Sequence, residues 1–313
     1  MSKLRDFITI SRLKMLIATP TQPLLGIFLG AFSFYEINSY VLIFLILYLI
    51  SIIYACNINC YYDRDVDIKY KVNLAQAVDN IGKSNLKKIL ILESGLIFIL
   101  STVFIINGFL ITINYLYVGI FSIIGWVMST IYSAEPIRIK KRGIISPLPL
   151  IIGLFALPFI SGWIIITLSF YLYGLIFLLG YIFLNEGLNL INTLEDYTED
   201  FSSNIKTWGH IFGIKNSMYI SIIFTIIGSI MCILALFIKL SMIQNYFYNV
   251  FFSYIFIFIT LIFSIIAIID LIRIINSKNI LKSIKLNSKK LPIWFATTRY
   301  PMLFASICML LKI

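Results

Sequence analysis

Nine apolar stretches, each about 20 residues long, divide the sequence and determine the solvent in which the chain folds. A helix of about 20 residues crosses the roughly 30 Å hydrocarbon core of a bilayer. Because lipid offers no hydrogen bonds, each stretch must bond its own backbone, which predicts helices even where Ile, Val and Phe are frequent. The predicted spans cover approximately residues 15–34, 41–60, 89–106, 115–131, 148–168, 171–191, 218–238, 247–269 and 293–311.

The composition also indicates that lipid is the main solvent. Hydrophobic residues make up 60% and charged residues 12% of the 313 residues, whereas about 25% of the residues in soluble domains are charged. The first span contains Pro20 and Pro23 and lacks a small-residue cleavage site, so we expect a retained helix rather than a signal peptide. Residues 1–313 are predicted to form a single integral-membrane domain.

Basic residues lie almost entirely on one side of these spans. Of 25 Lys and Arg residues, 22 precede span 1 or follow spans 2, 4, 6 and 8. By the positive-inside rule this side, with the N-terminus, is predicted to be cytoplasmic, most simply in the cell membrane. In a soluble protein a net charge of +11 would suggest a nucleic acid partner. Here topology explains the charge, so we expect no nucleic acid partner.

Two acidic runs end spans 2 and 6 on that side. Both have the pattern Asn-x3-Asp-x3-Asp, formed by Asn59, Asp63 and Asp67 and by Asn192, Asp196 and Asp200. Residues four apart on a helix differ by about 40° in azimuth, so each run is predicted to follow one helix face. Mg²⁺ prefers carboxylate and phosphate oxygens, which predicts metal ions between the two faces with a shared polyphosphate ligand. Alternatively, the acids are solvated and paired with neighbouring bases, but the repeated spacing favours the metal site.

A basic segment, residues 132–143, lies between the two runs in the sequence. Its Arg138 and Lys140 are predicted to bind phosphate oxygens that the metal ions leave uncovered. Lys206, after the second run, and Arg12, before span 1, are candidates for the same role. Taken alone, the segment would be an ordinary positive loop or an anionic-lipid contact.

Three motifs in this order resemble those of the UbiA superfamily of intramembrane prenyltransferases. The first acidic run resembles that family's Asn-Asp-x2-Asp-x3-Asp, although Cys60 replaces the Asp after Asn59. The segment that begins with Tyr132 and Ser133 is similar to Tyr-Ser-x-Pro-Pro-x-Arg-x-Lys, although Glu135 stands where a Pro is usual. The second acidic run, with a trailing Lys-Thr, resembles the family's second acidic motif, and Ser-Arg at 11–12 resembles its Ser-Arg-Pro.

The resemblance implies an all-α, polytopic membrane bundle of about nine helices around a central cavity that opens to the cytoplasm. It implies transfer of a prenyl group from an isoprenoid diphosphate to a lipophilic acceptor within the lipid bilayer, with Mg²⁺ as cofactor. The implied metal ligands are Asp63, Asp67, Asp196 and Asp200. Tyr132 would stabilise the allylic cation or hydrogen-bond the acceptor. The implied substrate-binding residues are Asn59, Asn192, Ser133, Arg138, Lys140, Lys206 and Arg12.

Two other functions stay open at this point. A non-catalytic relative could organise other membrane enzymes, although intact carboxylates argue for catalysis. A transporter would place its ionisable groups near the bilayer midplane, whereas these acids cluster at one surface. The motifs do not define the acceptor, which in relatives is a glyceryl lipid, a quinone ring, a carotenoid or a tetrapyrrole.

Residues outside the motifs carry further expectations. Glu186, inside span 6, is expected to face the bundle interior, where it contacts the acceptor or pairs with another polar group. Glu93 and Arg299 are expected to reach the membrane interface, and His210 is expected to be solvent-exposed. The Gly-x3-Gly pattern at 26–30 is expected to allow close helix contact, within the bundle or between protomers. The four cysteines are expected to be reduced packing residues.

Overall fold

A computed structural model describes residues 3–13, 17–202, 205–243 and 247–311, and its regular elements there are all helices. The α-helices are α1 Lys3–Ile10, α2 Thr21–Gly30, α3 Ser39–Tyr70, α4 Val72–Ile81, α5 Lys83–Leu110, α6 Ile113–Ser133, α7 Leu148–Leu150, α8 Leu157–Ile164, α9 Leu172–Glu195, α10 Tyr197–Ser202, α11 Trp208–Phe212, α12 Ile214–Ser241, α13 Phe247–Ile275, α14 Ile280–Asn287 and α15 Leu291–Cys308. The all-α prediction is confirmed.

Seven helical segments within the described residues are long and apolar enough to cross a membrane. They correspond to predicted spans 2 to 8, so the chain is a multi-pass integral membrane protein. The first and ninth predicted spans correspond to shorter or less apolar helices. The first becomes α2, with only 10 residues and Pro20 at its N-cap, and the first two positions predicted for that span lie outside the described residues. The ninth becomes α15, an 18-residue helix that contains Arg299 and Pro301.

The fifth span, Gly143–Ile164, is not one regular α-helix. Between α7 and α8 the backbone forms a π-helix over Ile151–Ala156. Pro158 has no N–H to bond the carbonyl four residues earlier, so the carbonyl of Leu154 needs another donor. The side-chain amide of Gln22 supplies that donor at 2.8 Å, in the orientation that gives both its nitrogen and its oxygen a hydrogen-bond partner, here called its satisfied orientation. The wide turn therefore faces the first turn of α2, which contains Gln22.

The Gly-x3-Gly pattern brings α2 close to α8 inside the bundle. A side chain at Gly26 would overlap the carbonyl of Phe159, and one at Gly162 would overlap the carbonyl of Pro23. Small residues allow such close backbone approach between membrane helices. Of the two expectations for this pattern, the structure therefore supports contact within the bundle.

Lys239 caps the C-terminal end of α2. Its Nζ donates to the carbonyls of Phe28 (2.6 Å), Leu29 (3.0 Å) and Ala31 (2.8 Å), and the residue is fully buried. The last carbonyls of a helix have no partner within the helix and carry partial negative charge, so a cation at this end is stabilising. The ammonium thus fixes the short helix to the long helix α12.

The two ends of the bundle differ. At one end, here called the charged end, the spans are joined by the helices α4, α10, α11 and α14, and α1 packs against α4. At the other end the connections are brief, such as the turn Phe34–Glu36 between α2 and α3. The charged end is the one that carries both acidic runs.

Glu93, which the sequence predicted at the membrane interface, is buried, so that prediction was wrong. Glu93 accepts a hydrogen bond from Asn57 Nδ2 at 2.7 Å, because its position on α5 faces α3 rather than the headgroups. His210, expected to be solvent-exposed, is half-buried in the first turn of α11, where it forms a capping box with Thr207 and its ring stacks on Tyr197 at 4.3 Å. The four cysteines are free, as predicted.

Candidate functional site

A cavity of about 330 Å³ extends from the charged end into the helices. Its walls come from α3, α6, α9, the π-helical segment and α15, together with residues that precede α2. Both acidic runs line it, so the structure brings together residues that lie far apart in the sequence. The predicted site residues that line the cavity are Arg12, Asn59, Asp63, Asp67, Tyr132, Lys140, Asn192, Asp196 and Asp200.

The first acidic run lies on the last turns of the continuous helix α3, along the face that lines the cavity. Asp63 accepts a hydrogen bond from Arg138 Nη2 at 2.7 Å, and Lys140 Nζ contacts both of its carboxylate oxygens. Lys140 Nζ also donates to Asn59 Oδ1 at 3.0 Å. Two cations from the basic segment therefore neutralise this part of the run.

The second acidic run does not lie on one continuous helix. α9 ends at Glu195, Asp196 occupies the turn that follows, and Asp200 lies in α10. The N–H of Asp200 still donates to the carbonyl of Asp196 at 2.8 Å, so the turn keeps the two carboxylates on the same side. All three residues of the second run therefore line the cavity, although the helix that carries Asn192 ends before Asp196.

Asp196 pairs with a cation that the sequence reasoning missed. Lys71 Nζ donates to Asp196 Oδ2 at 2.8 Å and lines the cavity. The other oxygen, Oδ1, is buried and has no hydrogen-bond partner among the described residues. A signal was available, because Lys71 follows Asp67 by four residues and so continues the spacing of the first run along the chain.

The basic segment reaches the first run through an unusual backbone. Arg138 has a φ of 38°, in the left-handed region that non-glycine residues rarely adopt, and its side chain is almost fully buried. Arg12, which lines the cavity, is the other non-glycine residue with positive φ, 48°, in the described chain. Such strained residues cluster at binding sites, where surrounding contacts hold them.

Three predicted residues do not line the cavity. Arg138 instead donates a hydrogen bond to Asp63, and Ser133 Oγ donates to Asn59 Oδ1 at 3.2 Å. Lys206 is exposed, and its carbonyl accepts from the N–H of Gly143 at 2.9 Å. That backbone pairing with the basic segment directs the Lys206 side chain outward, which does not match the predicted contact with phosphate.

Burial and like charge change the proton affinities at the charged end. Burial, together with the neighbouring Asp196 carboxylate, raises the pKa of Asp200 to about 7. Burial also lowers the pKa of Lys140, although the Asp63 carboxylate opposes that shift. Both shifts have the same cause, which is that charged groups are buried close together at this end of the bundle.

Glu186 faces the bundle interior, as expected. It is 1% exposed and accepts a weak hydrogen bond from Asn189 Nδ2 at 3.5 Å. It lines a small second cavity of about 30 Å³, which shares Tyr132 and Lys140 with the main one. Its partner Asn189 is half-buried and lines both cavities.

Arg299 is buried at the deep end of the cavity, so the prediction of an interfacial residue was wrong. Its side chain lies between the rings of Phe295 and Tyr181, at 4.1 and 5.6 Å from their centroids. Its Nε donates to Asn185 Oδ1 at 2.8 Å, and its Nη1 donates to the carbonyl of Ala18 at 3.3 Å. Its position near the start of a predicted span was compatible with both the interface and the interior.

The donor set of the acidic runs suits Mg²⁺. Among the described residues, no three carboxylate, histidine or cysteine groups are close enough to hold a metal ion by themselves. Mg²⁺, however, usually takes one or two carboxylates and completes its shell with water and phosphate oxygens. The four aspartates around one cavity, with the unpartnered Oδ1 of Asp196, fit that pattern.

Fold and cavity define a multi-pass helical membrane protein with an acidic site at one end of the bundle. The model of the UbiA prenyltransferase family matches residues 22–285, which is more than half of the chain. The protein therefore belongs to the UbiA prenyltransferase family, and the resemblance drawn from its motifs is confirmed. None of the curated proteins compared with this sequence matches it significantly.

Solved structures of UbiA homologues share its fold. A homologue from Archaeoglobus fulgidus bound to GPP and Mg²⁺ matches with a TM-score of 0.67 and 15% identity, over 94% of this chain and 99% of that chain. The homologue bound to DMAPP and Mg²⁺ matches with a TM-score of 0.65 and 15% identity, again over 94% of this chain and 99% of that chain. A structure concerned with digeranylgeranylglyceryl phosphate synthase in membranes matches with a TM-score of 0.65 and 18% identity, over 98% of this chain and 99% of that chain. At these identities the matches establish the fold.

Proposed function

We propose that this protein transfers a prenyl group from an isoprenoid diphosphate to a lipophilic acceptor within the membrane and releases diphosphate. The observation that carries the proposal is the convergence of both acidic runs on one cavity that continues between apolar walls. Membership of the UbiA family supports it, as does the fold shared with a homologue that was solved with GPP and Mg²⁺. An isoprenoid diphosphate has the same two parts, a charged head and an apolar chain.

We assign the Mg²⁺ ligands to Asp63 and Asp67 on one wall and to Asp196 and Asp200 on the other. When bound, the metal supplies the positive charge that makes diphosphate a better leaving group. The aspartates then have the task of orienting the diphosphate, and Asn59 and Asn192 would add amide contacts one turn deeper in the membrane.

The two lysines that hold the carboxylates and line the cavity are the proposed phosphate ligands: Lys140 contacts Asp63 and Lys71 contacts Asp196. Arg138 contacts Asp63 but does not line the cavity, so its proposed role is to position that carboxylate. Charge-assisted hydrogen bonds from such groups are the strong ones in proteins. We propose Lys71 in place of Lys206, whose side chain is exposed.

The cavity wall has a second task, which is to protect the reacting carbon. The C1–O bond of the donor breaks, its electron pair leaves with diphosphate, and an allylic cation has to survive until the acceptor attacks. Tyr132 lines the cavity close to the first acidic run, where its ring would stabilise the cation or its hydroxyl would bond the acceptor. The surrounding apolar side chains exclude water that would hydrolyse the donor.

We also propose that the charged end faces the cytoplasm of the cell. The excess of Lys and Arg in the connections at this end supports that orientation. Diphosphate, which is too charged to cross the bilayer, would leave by the same side.

The test is diphosphate release from geranylgeranyl diphosphate by the purified protein in nanodiscs, with and without Mg²⁺ and with a panel of acceptors. We expect release that requires both Mg²⁺ and an acceptor, and its loss in Asp63→Asn and Asp196→Asn. Asp79→Asn is the matched control, because this exposed aspartate pairs with Arg64 outside the cavity. Mg²⁺-dependent donor binding without release for any acceptor would favour a non-catalytic assembly role instead.

A further inference from the structure

The wall that α9 contributes to the cavity is polar well below the acidic site. Asn185, Asn189, Asn192 and Asp196 follow one another at intervals of four, three and four residues and form a polar stripe on one helix face. The last three line the cavity, whereas Asn185 is fully buried and contacts the cavity-lining Arg299. At 1.5 Å per residue, this stripe runs about 16 Å into the membrane. It ends where Asn185 accepts the hydrogen bond from Arg299.

The facing walls carry large apolar side chains, namely Phe44 and Leu47 on α3, Phe121 and Met128 on α6 and Phe155 in the π-helical segment. Their polar lining residues include the small hydroxyls Ser51, Ser122 and Ser129. An isoprenoid chain gains from burial against these side chains and gains nothing from amides. The donor chain therefore has its own wall, and the polar stripe is left for the second substrate.

At the deep end of the stripe lies a cation with only neutral partners. Arg299 is 2% exposed, and its recorded acceptors are Asn185, the carbonyl of Ala18 and, at 3.3 Å, the side-chain oxygen of Gln22 in its satisfied orientation. Within the described residues, no carboxylate forms an ion pair with it. A guanidinium has more N–H donors than these three acceptors use.

A buried cation without a counter-ion is costly unless a ligand supplies the charge. The donor's diphosphate is assigned to the opposite end of the stripe, so it does not serve as that counter-ion. We propose that Arg299 binds an anionic group, a carboxylate or a phosphate, on the acceptor. This inference rests on the proposed prenyl transfer and narrows its acceptor to molecules that carry an acidic group.

In the proposed complex the acceptor lies along the stripe. Its acidic group contacts Arg299 and its nucleophilic atom lies near C1 of the donor. Gln22 and Asn185 are positioning residues, because they hold the guanidinium rather than the substrate. The transfer balances without a further reactant: the acceptor forms the bond to C1, diphosphate leaves with the electron pair, and the acceptor's proton passes to solvent or to the released diphosphate.

Paired acceptors that differ only in charge test the proposal on the wild-type protein. One pair is 4-hydroxybenzoate and 4-hydroxybenzamide, and the other is monoprenylglyceryl phosphate and monoprenylglycerol. We expect the anionic member of one pair to bind, by calorimetry without donor, and to react with a KM at least about tenfold lower than that of its neutral partner. The pair that responds identifies the acid as carboxylate or phosphate. Equal use of both members in both pairs, or binding of neither acid, would overturn the proposal.

Variants of Arg299 add a second readout. In Arg299→Gln the preference for the anionic acceptor should disappear, while the KM for geranylgeranyl diphosphate changes less than about threefold; Arg299→Lys should restore part of the preference. Arg273→Gln is the matched control, since its side chain is 77% exposed. An unchanged preference in Arg299→Gln, or an equal rise of both KM values, would contradict acceptor recognition. If Arg299→Gln does not fold, the proposal is tested by comparing the anionic and neutral acceptors with the wild-type protein and with Arg299→Lys.

The same measurements separate this inference from the proposed function. Absence of Mg²⁺-dependent donor binding and release would refute prenyl transfer itself. Normal release with neutral acceptors would refute only the role of Arg299.

Discussion

Lys71 shows most clearly what single residues contribute to this site. It holds one oxygen of Asp196 at 2.8 Å, and the other oxygen is buried without a hydrogen-bond partner in the part of the chain that the structure describes. A lysine in this position neutralises the acid, and in the proposed complex with metal and diphosphate it would turn to a phosphate oxygen. The acids and their neutralising cations are thus arranged as a single charged assembly.

Replacement of Lys71 should therefore weaken donor binding. In Lys71→Met we expect the KM for geranylgeranyl diphosphate to rise about tenfold, the value of one hydrogen bond to a charged group. Steady-state kinetics at saturating acceptor measure this change. Lys69→Met, two residues away and exposed, is the control. If both variants behave alike, Lys71 has no part in the site.

The candidate residues that could be predicted were those in regular sequence patterns. The two Asn-x3-Asp-x3-Asp runs and the basic segment were recognisable because their spacing repeats and their order matches a family. The positions of the Arg299 and Glu93 side chains could not be predicted. A single charged residue near the end of a predicted span can lie at the membrane interface or in the bundle interior. Only the helix rotation, which depends on tertiary packing, chooses between them.

At the scale of elements, α2 is the least regular span and depends on contacts with its neighbours. It has 10 residues, packs on α8 through glycines and ends at the ammonium of Lys239. Sequence reasoning gave the span but not its length, since Pro20 shortens the helix and the cap comes from another helix, α12. The break of α9 before Asp196 was missed because no Gly or Pro marks it.

Loss of the cap should destabilise this part of the bundle. Lys239→Met leaves the carbonyls of Phe28, Leu29 and Ala31 without the ammonium, at an expected cost of about 2 kcal/mol. The measurement is the midpoint of thermal unfolding in detergent, which should fall. Lys215→Met, exposed near the other end of the same helix, should leave the midpoint unchanged. An unaltered midpoint in Lys239→Met would show that the cap contributes nothing.

At the scale of the whole molecule, the number and order of the spans were the most predictable features. Seven of nine predicted stretches are helices of membrane-spanning length, because hydrocarbon thickness constrains them more strongly than any local propensity. The cavity was not predictable from composition. It arises from the way α3, α6, α9 and α15 pack, which is encoded in contacts between distant residues.

The proposed orientation makes a prediction for labelling. Single cysteines introduced at Lys83 and Lys285 should react with a membrane-impermeant maleimide only after cells are permeabilised. A cysteine at Tyr35, which is 94% exposed at the opposite end, should react in intact cells. The reverse pattern would place the acidic site outside the cell.

The central claim is that both acidic runs act on one diphosphate, and a double-mutant cycle tests it most directly. Turnover of geranylgeranyl diphosphate would be measured at saturating Mg²⁺ for Asp63→Asn, Asp196→Asn and the double variant. We predict that each single change lowers turnover at least about 100-fold and that the double change is little worse than either, because the residues serve one step together. Losses that multiply independently, or single variants with wild-type turnover, would contradict a shared site.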